Sequence, residues 1–187
     1  MNRAYGLMLM IVACTFASCD QRGKEIKEID AMAVKMDSVA KANPVFTVAH
    51  KVEAEALITE YLEFVRQYPK DTLCAQYLMS AARLYEKMPA VKEELQLLDR
   101  LIEEYPASPL VPQALITAAN SCELVLRDYN RAIAYYRTLQ EKYPDSPYSK
   151  NIDLQIEFIG DPDGLFTAIM ERAGKPVDTL ESVNAVK

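Results

Sequence analysis

The chain has 187 residues, half of them hydrophobic, which is enough for one domain with accessory segments and a sizeable core. Its net charge of −6, with no Lys/Arg run longer than two, argues against a nucleic-acid role, because phosphate binding needs a concentrated basic face. With 5 Gly, no Trp and abundant Ala, Leu, Glu, Lys and Met, the composition favours helix.

The chain opens with a single positive charge, Arg3, and then runs from Ala4 to Phe16 without charge. That apolar stretch of 13 residues is short of the roughly 20 needed for a membrane-spanning helix, and it suits the apolar region of a secretory leader. It closes on Phe16-Ala17-Ser18-Cys19, and small residues at the two positions before a Cys resemble the lipobox of bacterial lipoproteins. The resemblance implies removal of residues 1–18, acylation of Cys19 and of the new N-terminus, and a membrane hold stronger than one acyl chain supplies. Phe16 stands where that motif usually has Leu. The alternative is an ordinary secretory leader cut after Ala17, leaving a soluble periplasmic protein. Without residues 1–18, 20 Lys and Arg face 27 Asp and Glu, a net −7. Asp20 resembles an inner-membrane retention signal of enteric bacteria that other phyla do not obey. The expected location is therefore the cell envelope, with the periplasmic side of the outer membrane favoured and the inner membrane left open.

Residues 19–50 read as an anchored helix and linker. Ile26, Ile29, Ala33, Met36 and Ala40 follow a three-four heptad spacing, which predicts a helix over 24–41 packed on the first repeat, with self-association through this stripe as the alternative. Asn43-Pro44 ends it. His50 is the one histidine of the chain, and its setting beside this linker reads as solvent-exposed.

A phrase then recurs. Tyr-Pro stands at Tyr68-Pro69, Tyr105-Pro106 and Tyr143-Pro144, at intervals of 37 and 38 residues. Eight residues before each Pro stands Tyr61, Leu98 or Tyr136, and five before stands Phe64, Leu101 or Leu139, positions that share one helix face. The Pro ends the helix, and Asp71, Ser108 and Ser146 follow as candidate N-caps. A second helix comes next in each unit. One places Leu73, Tyr77, Ala81, Leu84 and Tyr85 on a stripe, and the other Leu115, Ala118, Ala119 and Leu126. Pro89 and the Arg127–Asn130 turn separate the helices of a pair.

After the third Tyr-Pro the sequence predicts one amphipathic capping helix from Pro147 to Phe158, a turn at Gly160–Gly164, a short helix Leu165–Ala173 and a loose tail. Cys74 and Cys122 sit at non-equivalent repeat positions among apolar residues. Two buried thiols are favoured over a disulfide.

These repeats resemble the tetratricopeptide repeat family, most closely at Tyr129–Pro144, while Glu94 departs by standing where a small Ala is usual. The "YPDSPY" phrase is similar to periplasmic repeat lipoproteins such as the BamD/YfiO outer-membrane assembly family and the cell-division coordinators. The resemblance implies an all-α fold: an α-solenoid of antiparallel helix pairs, about two to three repeats over 51–160, with an N-terminal helix and a C-terminal capping helix, then a short helix and tail over 161–187. It implies a protein-binding groove on the first helix of each pair, at Gln76, Met79, Arg83, Gln113, Ile116 and Asn120.

No catalytic constellation is expected. Glu93-Glu94 and Glu103-Glu104 read as solvated faces, Asp161-Pro-Asp163-Gly164 lacks the further ligands of a calcium loop, and there is no Cys/His cluster, metal site, phosphate loop or cofactor motif. The expected function is that of a membrane-anchored scaffold binding protein partners in the cell envelope, with outer-membrane protein assembly as a candidate process. The alternatives are a division coordinator that oligomerises through its N-terminal helix and, last, an envelope enzyme.

Overall fold

The computed structural model describes residues 2–43 and 45–174, and for residues 2–20 the backbone alone. The expected tail beyond Gly174 and the side chain of Cys19 lie outside the described residues. All described regular structure is helical, and the chain divides into two compact units, residues 1–89 and 90–187.

The first unit holds α1 (Asn2–Ala42), α2 (Val48–Gln67) and α3 (Cys74–Glu86). The helix expected over 24–41 lies within α1. Ile29 and Met36, two turns apart, are 2% and 3% exposed and pack this helix on α2, while Ile26, Ala33 and Ala40 are half-buried. Lys35–Glu53 and Arg22–Asp71 ion pairs add contacts to α1 at 3.0 and 2.5 Å. His50 is half-buried and has a structural task. It closes a reciprocal cap on α2, its Nδ1 accepting from the Thr47 amide while the Thr47 hydroxyl accepts from the His50 amide, and its ring meets Phe46 edge-on. The expectation of a solvent-exposed histidine is corrected accordingly. At the centre of the unit the Tyr77 ring lies 4.9 Å from both Tyr61 and Phe64.

The second unit holds α4 (Val91–Glu104), α5 (Val111–Asn120), a π-helical turn (Ser121–Leu126), α6 (Tyr129–Lys142), a 3₁₀ turn (Pro147–Ser149), α7 (Ile152–Glu157) and α8 (Pro162–Arg172). Helix α5 packs between α4 and α6. Ala114, Ala118 and Ala119 are fully buried on it, so neighbouring helices approach closely. All six residues matched upstream of Tyr-Pro are buried, Tyr61 being the most exposed at 5%.

The three Tyr-Pro seams share one geometry. Each Tyr adopts nearly the same backbone angles, φ −124°, −128° and −134° with ψ 57°, 53° and 53°. Each Tyr amide closes the preceding helix, onto Phe64, Leu101 or Leu139. Each Tyr carbonyl then accepts from the amide three residues on, at Asp71, Ser108 or Ser146, over 2.8, 2.9 and 3.0 Å. The side chains of those same three residues accept from the amide two residues further on, at Leu73, Leu110 and Tyr148. The residues expected as N-caps thus hold the turn and set the next helix one to three residues downstream. Proline has no amide to lose here, and its ring keeps the preceding Tyr out of the helical region.

The extra residue of the second interval can be located. Helix starts Cys74 and Val91 are 17 apart and starts Val111 and Tyr129 are 18 apart, whereas Val91 to Tyr105 and Tyr129 to Tyr143 are both 14. The added residue falls between Val111 and Tyr129, where the π turn lies. The wider turn rotates the following residues off the α-helical stripe. Leu126, expected in the core, is therefore 37% exposed, and Arg127 closes the turn in a left-handed conformation at φ 56°.

The expected capping helix is also corrected. Asn151 turns left-handed at φ 64°, so Pro147–Phe158 becomes a 3₁₀ turn followed by the six-residue α7, which still buries Ile152 and Leu154. Helix α8 starts earlier than expected, at Pro162, because the Asp161 side chain caps the Gly164 amide at 3.1 Å.

Leu98 is fully buried and Val52 is 62% exposed. Leu98→Ala is expected to lower unfolding free energy by about 2–5 kcal/mol and Val52→Ala by less than about 0.5 kcal/mol, read by urea denaturation.

Candidate functional site

The residues expected to line a groove do not behave alike. On α3, Gln76 and Arg83 are exposed and share one face, seven residues apart, but Met79 is only 2% exposed and belongs to the core. On α5, Gln113 and Ile116 are half-buried and Asn120 is exposed, its Oδ1 lying 3.0 Å from the Tyr136 hydroxyl.

In the first unit, Gln76 and Arg83 border a cleft of about 610 Å³ between α1 and α3, with Leu57 and Tyr61 of α2 among its lining residues. Ala33 and Ala40 keep the α1 wall low, and Ser80 and Tyr77 line the α3 side. Tyr77 is 4% exposed, and its buried hydroxyl has no hydrogen-bond partner among the described residues. Burial first, and then the charge of Asp30, push this phenol up to about 12, so it stays protonated and keeps a proton to donate. Burial also raises Tyr61, with the Ser80 side chain pulling the other way.

The second unit contains polar groups where the repeat pattern puts apolar ones. Glu94, expected on a solvated face, is 3% exposed, and its Oε1 accepts from the Ser121 hydroxyl at 2.7 Å. Glu123, 6% exposed on the π turn, accepts from the Tyr136 hydroxyl at 2.7 Å and from the Gly160 amide at 3.3 Å. Gly160 sits at φ 82°, and a Cβ there would come within 2.9 Å of the Tyr129 ring, so glycine alone fits this approach. Nearby, Asp99 accepts from Arg131 at 2.9 Å and from Tyr135 at 2.5 Å. Burial, reinforced by the neighbouring carboxylate, raises both Tyr135 and Tyr136, which keeps them as donors. Burial pushes the Cys122 thiol up to about 11, and Cys74 donates to the Tyr68 carbonyl at 3.1 Å, so both cysteines are buried thiols, as favoured from the sequence. Among the described residues no group of three or more His, Cys, Asp and Glu side chains is placed to hold a metal ion.

The family model described as Tetratricopeptide repeat matches residues 114–146, from within α5 through the π turn and α6 to the third seam. The chain carries a tetratricopeptide repeat. Its two helices are α5 and α6, the stretch where the family pattern is clearest in the sequence. Such repeats generally mediate protein–protein interactions and are typically non-catalytic scaffolds. No curated protein matches the chain.

Sequence reasoning missed the buried acids and the orphaned phenol. Glu94 did carry a signal. An acid at a repeat position reserved for a small core residue needs a buried partner, and Ser121 is that partner. Nothing in the local sequence marks Tyr77 as unsatisfied, because that depends on what stands opposite it.

Tyr136→Phe removes the hydroxyl donor from the buried Glu123 carboxylate and is expected to cost about 1–3 kcal/mol of stability in urea denaturation. Helix α8 is tied to α7 by an acid-sensitive ion pair. The Arg172 guanidinium binds both carboxylate oxygens of Asp153, at 2.9 and 2.6 Å, and holds that acid down to about 2. Because its folded value is depressed, its stabilising contribution is full above the unfolded value of about 4 and is lost as pH falls toward 2. Amide protection factors in α8, the exchange rates corrected for their intrinsic pH dependence, should fall as pH drops through that window, and Asp153→Asn should remove that fall.

Proposed function

We propose that this chain is a lipid-anchored scaffold of the bacterial cell envelope, held on a membrane through Cys19 and presenting its helical repeats to a protein partner, with outer-membrane protein assembly as the process served. The observation that carries the reading is the tetratricopeptide repeat at 114–146, whose closing seam has the same geometry as the two seams before it. The N-terminal sequence supports the anchor. The uncharged stretch Ala4–Phe16 ends in the lipobox-like Phe16-Ala17-Ser18-Cys19, and among the described residues no helix is long and apolar enough to cross a membrane. Cleavage before Cys19 would keep Ile29 and Met36, the buried hydrophobic residues of α1 among those described, because both lie beyond that point.

The test is fractionation combined with affinity capture. The wild-type chain is expected in the detergent phase after phase separation, with an acyl modification on Cys19 in the mass spectrum of its N-terminal peptide. It should co-purify a defined set of envelope proteins from solubilised membranes. Cys19→Ala should move to the soluble phase. A Cys19→Ala chain that still fractionates with membranes, together with a wild-type chain that captures nothing, sinks the anchored-scaffold reading.

A further inference from the structure

The scaffold reading leaves open which surface takes a partner and what that partner presents, and the cleft of the first unit supplies both. Its two ends carry different charge. Asp30 lies at the end near Tyr77 and Tyr61, raising both phenols, and has no ion-pair partner among the described residues. The other end holds Arg83 and Lys87, one helical turn apart and likewise without ion-pair partners among the described residues, with Glu86 the acid beside them. Asp37 on the α1 wall is already neutralised by Lys41 at 2.6 Å. Along α3, Tyr77 and Arg83 are six residues apart, a rise of about 9 Å, and Tyr77 to Lys87 spans about 15 Å. An extended chain covers that distance in four or five residues. The floor between the ends is apolar, with Leu57 and Leu84 on it.

An unsatisfied buried hydroxyl costs stability, so its presence in a cleft of ligand size points to an acceptor that arrives from outside. We propose that this cleft docks an extended peptide segment of a protein partner. The segment carries a basic side chain against Asp30, an acidic side chain about four residues away against Arg83 and Lys87, and apolar residues between them. A main-chain carbonyl of the segment accepts from the Tyr77 hydroxyl. This inference rests on the scaffold reading and specifies its binding surface.

A displayed library of random twelve-residue peptides panned against the full-length chain in detergent tests it. Enriched peptides should share a basic and an acidic residue about four apart, flanking apolar ones. A synthetic peptide of that pattern should lose at least 10-fold in affinity, read by fluorescence anisotropy, for Arg83→Glu and for Asp30→Lys. A peptide with the two charges exchanged should recover binding to the Asp30→Lys/Arg83→Glu double variant. Tyr77→Phe separates binding from folding: it should raise the Tm of the free chain by a few degrees while weakening the peptide several-fold. Selected peptides that lack the charge pair, or whose binding is unmoved by Arg83→Glu and by the cleft-filling Ala33→Trp, overturn the proposal while leaving a scaffold with another binding surface. An empty selection overturns it as well, with membrane capture judging the scaffold separately. A Tm that falls for Tyr77→Phe also overturns it, because the hydroxyl would then have a partner in the fold.

Discussion

A proline cannot join the hydrogen-bond ladder of a helix, and this chain uses that refusal three times in the same place. The residue before it is driven out of helical geometry but keeps its own amide on the helix it ends. Its carbonyl is then available for the next turn, where Asp71, Ser108 and Ser146 take it. The direction in which the chain leaves one helix and enters the next is thereby set by local bonds. Helices launched this way must bury their apolar faces on neighbours, so the matched aromatic and Leu positions eight and five residues upstream become core. The seam comes first in the logic and the packing follows from it.

The two units fill their interiors by different means. The first is built around aromatic rings, with Tyr77 in contact with Tyr61 and Phe64 and left with an idle hydroxyl. The second admits carboxylates to the core and satisfies them with Ser121, Tyr136 and the Gly160 amide. A satisfied polar core specifies one arrangement of its helices, since any slip strands a buried charge. An unsatisfied phenol does the reverse. It leaves part of the interaction capacity of the fold unspent, at a position bordering open space.

Much of this architecture is legible in the sequence, because the signals are local and periodic. Tyr-Pro spacing, the upstream apolar pair and the paired alanines each depend on residues a few positions apart, and the helices and their buried faces follow. Ile29 and Met36 are legible for the same reason. What escaped depends on single backbone events or on distant partners. Asn151 breaks an otherwise good amphipathic pattern by turning left-handed, and the π turn moves Leu126 off its stripe. Met79 has the spacing of a groove residue but the surroundings of a core one, and helical periodicity alone cannot separate neighbouring faces at a helix boundary. The cleft was half legible. Gln76 and Arg83 came from the family resemblance, while its other wall comes from α1, which stands outside the repeats altogether.

The π turn has a meaning for how such an array changes over time. Its interval is one residue longer than the one before, yet the distances from helix start to seam are identical. The surplus is absorbed inside a connection as a bulge, and the frame of seams does not shift. Arrays built this way have a tolerant compartment and an intolerant one. Insertions arriving between the two helices of a pair can be taken up as a wider turn that displays a few extra side chains, here Leu124, Val125 and Leu126, on the outside. The same insertion between a helix start and its Tyr-Pro would rotate the buried face by about 100° and unseat it. Length variation, and the new surface that comes with it, should therefore accumulate at the tips of the pairs while the spacing of the prolines from the second helices stays constant.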